Sequence, residues 1–160
     1  MRTTFATMML LAALTAYGAM PAIAQDAARR PTYAEDVTAI HQLLARYAHA
    51  IDSGNGKAWA ETFTEDGVFE YVDRRRAVGR VAIAAVVGTR RPYASRHMAQ
   101  NALITVDGDM ATMKAYLIVT RGTEIIVTGG YEDKLRRVNG AWLFSERRFT
   151  DDKPVAPARP

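Results

Sequence analysis

An α+β domain, with helices first and an antiparallel meander after them, follows from three observations. Apolar residues recur at helical spacing through residues 33–52, while from residue 96 onward the chain turns to runs of β-branched and aromatic residues. Those runs are punctuated by Asp107-Gly108, Arg121-Gly122 and Asn139-Gly140, and Asp-Gly and Asn-Gly pairs favour tight hairpins because both central residues tolerate positive φ. Helices laid over one face of a curved sheet leave unfilled space on its concave side, a natural place for a ligand pocket.

The elements are expected in this order. Residues 1–24 read as an export signal: Arg2 gives a short positive start, Met8 to Ala22 is mostly apolar, and Ala22-Ile-Ala24 fits the small-x-small pattern before cleavage at Gln25. The apolar run is too short for a stable membrane anchor, so the expected location is the periplasm or outside the cell. Residues 25–32 form a leader, residues 33–151 the domain, and residues 152–160 a C-terminal tail. Thr32 and Glu35 make a capping box, which starts a helix over 33–52. Val37, Ile40, Leu44, Tyr47 and Ile51 form its buried stripe, and Ser53-Gly-Asn-Gly56 stops it. A short helix over 57–63 turns Trp59 and Phe63 inward. Thr64-Glu-Asp-Gly67 is a turn, 68–72 a strand and 79–87 a small third helix. Strands follow at about 96–106, 110–121, 124–138 and 141–150.

Composition narrows the function classes. The chain of 160 residues has no cysteine, so neither disulfides nor thiol chemistry is available to it. Its formal charge of +4 is scattered, apart from Arg74-Arg75-Arg76, which reads as a solvated turn. No aromatic residues interleave with that cluster, and nucleic acid is not an expected partner. No pair of His or acidic residues has metal-ligand spacing, and Gly-rich phosphate loops and G-x-S-x-G elements are absent from the sequence. The expected chemistry needs no metal and no cofactor.

Two polar segments interrupt this apolar pattern. Arg46-Tyr47-Ala-His-Ala-Ile-Asp52 closes the first helix, and Arg96-His97-Met-Ala-Gln-Asn101 opens a strand. A helix C-terminus disfavours a carboxylate, so Asp52 serves either the following turn or a site, with Ala45 and Ala48 on its stripe leaving room beside it. His97 and Asn101 lie four apart in a strand and should share a face that Leu103 continues inward. His41 and His49 lie off the apolar stripe and are expected at the surface. Tyr131, Trp142 and Phe144 are core or pocket wall, and one of Arg147 and Arg148 should face the cavity.

Taken together, Arg46-Tyr47, Asp52, Trp59, Phe63, Asp66-Gly67, Gly79-Arg80, Arg96-His97 with Asn101, Gly129-x-Tyr131-x-Asp133 and Gly140-x-Trp142 resemble the SnoaL-like family of the nuclear-transport-factor-2-like superfamily, over about residues 33–151. The resemblance implies a cone-shaped α+β barrel, three helices on a strongly curved, mainly antiparallel sheet, assembled as a homodimer or homotrimer. In site pattern the chain is similar to the scytalone dehydratase and bile acid 7α-dehydratase types, which implies Asp52 and His97 as an elimination dyad with Tyr47 as acid. The implied activity is a cofactor-independent lyase on a small hydrophobic, cyclic, oxygenated substrate held by Asn101, Trp59, Phe63, Tyr131 and Phe144. An isomerase of the ketosteroid type, a polyketide-cyclase-like enzyme, and a non-catalytic hydrophobic-ligand binder or structural subunit are the alternatives that share this scaffold.

Overall fold

Thr32 starts helix α1 (Tyr33–Asp52) with both halves of its capping box formed: the Thr32 hydroxyl accepts from the Glu35 amide, and the Glu35 carboxylate accepts from the Thr32 amide at 2.6 Å. Thr32→Ala is therefore expected to cost about 1 kcal/mol of unfolding free energy, read by urea denaturation. The helix ends at Ser53 and Gly54, the latter at φ 71°, a left-handed conformation that glycine adopts without strain. Asn55 then caps α2 (Gly56–Ala60), accepting from the Ala58 amide, and α2 is shorter than the expected 57–63. The third helix, α3, spans Gly79–Val87. This computed structural model describes residues 29–71, 75–87 and 95–152. Residues 1–24, read as an export signal, the first part of the leader, Arg74 and most of the C-terminal tail lie outside the described residues. Among the described residues no helix is long and apolar enough to cross a membrane.

The strands are β1 (Phe63–Glu70), β2 (Arg76–Val78), β3 (Ser95–Asp107), β4 (Met110–Arg121), β5 (Glu124–Val138) and β6 (Ala141–Asp151). They form one sheet in the order β2-β1-β6-β5-β4-β3, antiparallel except where β1 runs parallel to β6. The sheet is open, with β2 and β3 as its edges, so the expected barrel does not close. The three long hairpins close with two-residue loops, as Asp107 pairs with Met110, Arg121 with Glu124 and Val138 with Ala141. At Asn139-Gly140 both central residues have positive φ, 50° and 80°, the condition for a type I′ turn. The first hairpin differs in that Asp107 ends the strand, leaving Gly108 at φ 59° as first residue of the loop.

Residues 64–67, expected as a turn, lie within β1, whose pairing with β6 shifts between Phe63 and Val68. Gly67 permits this irregularity, since a Cβ there would stand 2.9 Å from both the Phe63 Cβ and the Thr64 carbonyl oxygen. β2 was not anticipated: three residues are too few to show a period.

The core lies between helices and sheet. Ile40, Leu43, Leu44 and Tyr47 of α1 pack with Met113, Leu135, Trp142 and Phe144 of the sheet. Burial of each such side chain contributes about 1.5–3 kcal/mol before entropy is counted. Val37 and Ile51, the ends of the expected stripe, are only partly buried. Asp36 is buried among them because it accepts from Arg137 Nη2 at 2.7 Å and Trp142 Nε1 at 3.1 Å, which ties α1 to the central strands β5 and β6.

Candidate functional site

His97 projects from edge strand β3 onto the face covered by α1, where β3's Ser95 and Ala99 are also turned inward. Asp52, the last residue of α1, meets it there. The His97 ring Nδ1 lies 2.6 Å from Asp52 Oδ1, and the His97 backbone amide donates to Oδ2 at 3.1 Å. Both carboxylate oxygens are thus engaged by one residue, and Asp52 does not serve the adjoining turn, where the Ser53 hydroxyl donates to the Ala50 carbonyl. The two side chains are 19% and 11% exposed, so water screens the contact only weakly. An ionised Asp52 can only accept, which puts the proton on Nδ1 and leaves the lone pair on Nε2.

His97 lines a cavity of about 390 Å³, in the range of small-molecule sites. Tyr47, Trp59 and Tyr131 line it too, with apolar walls from Leu117, Val119, Val127 and Phe149. Asp52 does not line the cavity but stands behind the imidazole. Ser95 and Arg121, neighbours across β3 and β4, add polar groups that the sequence did not single out.

Three expected ligand-binding residues lie elsewhere. Asn101 is exposed and sits at φ 53°, where β3 bulges: residues 101 and 102 together oppose Ala115 of β4. The extra residue inverts the pleat. Asn101 therefore does not share the face of His97, and Leu103, expected inward, is 73% exposed. Asn is among the residues that best tolerate left-handed backbone, which accounts for its presence at this position. Phe63 and Phe144 are fully buried and away from the cavity, packed on each other at 5.5 Å between ring centroids and on Tyr47 at 6.1 and 5.7 Å. Ala45 is exposed, so no small-residue stripe opens space beside Asp52. His41 and His49 are exposed, as expected.

Beneath Tyr47 and Tyr131 lies a group the sequence left undecided. Arg147, fully buried, donates Nε and Nη2 to the two oxygens of Asp133 at 2.8 and 2.7 Å. Its guanidinium carbon stands 4.2 Å from the ring centroid of Tyr47 and 3.9 Å from those of Tyr131 and Phe144. Desolvated cation–π contacts of this kind contribute about 2 kcal/mol. Burial works against the guanidinium charge, but the Asp133 carboxylate more than offsets it and holds Arg147 protonated. Burial also pushes the Tyr47 phenol up and the Tyr131 phenol further up, with Arg147 pulling both back, so both remain protonated donors at neutral pH. The buried Tyr47 hydroxyl interacts with Tyr131 and Arg147, although neither contact has ideal hydrogen-bond geometry. Arg148 faces the other side, 3.1 Å from Glu70.

A family model described as a SnoaL-like domain matches residues 32–148. Among solved structures, a variant of a Mycobacterium tuberculosis protein of unknown function is 34% identical, with a TM-score of 0.69 over 75% of this chain and 78% of that one. An NTF2-like protein with a cystatin-like fold from Novosphingobium aromaticivorans is 30% identical, with a TM-score of 0.70 over 77% and 86%. A candidate scytalone dehydratase from the same organism is 26% identical, with a TM-score of 0.62 over 78% and 92%. No protein of curated function shows a significant sequence match. The family match over most of the domain and the fold shared with these structures lead to one conclusion: the chain belongs to the SnoaL-like family, on the NTF2-like fold.

Proposed function

We propose that the chain is a lyase that eliminates water from a small, hydrophobic, cyclic β-hydroxy ketone, using its own side chains and no resident metal or cofactor. The observation that carries this reading is His97, whose imidazole Nδ1 lies 2.6 Å from one Asp52 oxygen while its backbone amide donates to the other at 3.1 Å, and whose ring lines a mainly apolar cavity. Asp52 fixes the tautomer and stabilises the imidazolium. Nε2 removes the proton α to the carbonyl, and the electron pair moves into an enolate whose oxygen is stabilised by the Tyr47 phenol. Collapse of the enolate expels the β-hydroxyl, which takes the proton from the imidazolium and leaves as water. The product is the conjugated enone and His97 is restored. Similarity to a candidate scytalone dehydratase favours elimination over the isomerase alternative, which would begin with the same proton removal.

The site is proposed to work outside the cytoplasm, after removal of residues 1–24, in a homodimer or homotrimer. To test the activity, the purified chain is offered a panel of cyclic β-hydroxy ketones and enone absorbance is followed. Turnover that disappears in a folded His97→Ala variant is the expected result. Tight binding across the panel without enone formation would instead identify a hydrophobic-ligand carrier.

A further inference from the structure

We propose that the end of the cavity where Ser95 and Arg121 meet is an anion subsite, so that the substrate is an acid: an apolar ring set against His97, with a carboxylate held by the Arg121 guanidinium. This rests on the elimination reading and narrows its substrate to a cyclic hydroxy ketone with an acidic side chain.

Across β3 and β4, His97 opposes Val119 and Ser95 opposes Arg121, and all four residues line the cavity. Arg121 lies two residues beyond Val119, about 7 Å along the strand at roughly 3.4 Å per residue. That spacing suits a ring with a short side chain: reacting carbon at His97, oxyanion at Arg121. Among the described lining residues, Arg121 is the one with a permanent positive charge, and its planar fork of donors matches a carboxylate. It is exposed at the rim, whereas Ser95 is buried. Ile126, on β5 between the partners of Val119 and Thr120, also lines the cavity yet is 39% exposed. The body of a ligand reaching Arg121 would cover that apolar area.

Two further arginines raise the local potential. Arg96 donates to the Ser95 carbonyl at 2.9 Å, and Arg75 lies 5.1 Å over the ring of Tyr71, another lining residue. Against them stand Glu124, opposite Arg121 across the β4–β5 hairpin, and Asp52, which His97 engages at both oxygens. An anion is thus favoured at Arg121 and disfavoured beside His97, where the Asp52 carboxylate already stands. This charge pattern orients the acid with its ring inward and its carboxylate at the rim.

The probes are a cyclohexanone bearing an acetate side chain and its isosteric amide, both without a β-hydroxyl, with binding read by calorimetry. The wild-type chain is expected to bind the acid about fivefold more tightly than the amide, and added salt should narrow that gap. Arg121→Gln should erase the preference by weakening the acid alone, and Arg121→Glu should reverse it. His97→Ala should keep it. Equal binding of acid and amide by the wild-type chain, binding of neither, or a preference that survives in folded Arg121→Gln would overturn the proposal. The corresponding β-hydroxy ketones separate the two readings. An acid preference without enone formation would sink the elimination reading while leaving this subsite standing; enone formed equally fast from acid and amide would do the reverse.

Discussion

Asp52→Asn is expected to lower turnover by about 10²–10⁴-fold while leaving the fold and ligand binding in place. The amide has one oxygen where the carboxylate had two. Either that oxygen, no longer charged, accepts from Nδ1 and the N–H₂ is set against the His97 backbone N–H, or the oxygen keeps the backbone bond and the N–H₂ faces Nδ1 as a donor. In the second arrangement Nδ1 becomes the acceptor, the proton moves to Nε2, and the nitrogen facing the cavity loses its basic lone pair. In the first, the imidazolium formed on proton removal loses its counter-charge at 2.6 Å. Either outcome falls on kcat far more than on KM, because Asp52 stands behind His97 and does not line the cavity. Steady-state kinetics on the variant, with circular dichroism as a control, separates this from a folding defect.

The second large effect is on stability. Asp133→Asn, which removes one partner of a pair whose side chains are both 0% exposed, is expected to cost about 3–5 kcal/mol. The cost comes from leaving the Arg147 guanidinium charged and uncompensated among three aromatic rings, where no water can replace the carboxylate. In a domain of this size that corresponds to a melting temperature lower by on the order of 10–20 °C, measured by differential scanning calorimetry. The double variant Asp133→Leu with Arg147→Met removes both charges and should recover most of the loss, since the desolvation penalty disappears together with the attraction.

The helices and hairpins were legible because each rests on local chemistry: a capping box at Thr32 and Glu35, a glycine stop at Gly54, and positive φ at Asn139-Gly140. Asp52 could be singled out because a carboxylate at a helix C-terminus has no local electrostatic reason to be there. The errors cluster at bulges. A residue's face in a strand is read by counting in twos, and one extra residue inverts every face beyond it. In β3 that residue displaces Asn101 and Leu103. In β6 the pairing passes from Phe144 to Glu146 opposite consecutive residues of β5, so the inward set runs Trp142, Phe144, then Arg147 and Phe149. Plain alternation from Trp142 and Phe144 would have turned Arg148 inward. Phe63 and Phe144 were legible as inward but not as remote from the cavity, since that depends on the depth at which α1 and the sheet meet. Asp133, four residues from Gly129 in a strand that otherwise alternates, was visible only as part of a family pattern until its partner was known.

Hydrogen–deuterium exchange at the α-carbon of a bound cyclic ketone that lacks the β-hydroxyl tests the role of His97 most directly, because it isolates proton removal from every later step. In deuterated buffer, followed by NMR, the wild-type chain should exchange that proton catalytically, Asp52→Asn far more slowly, and His97→Ala at the rate of buffer alone. Exchange that persists at the wild-type rate in a folded His97→Ala variant would contradict the assignment of His97 as the base.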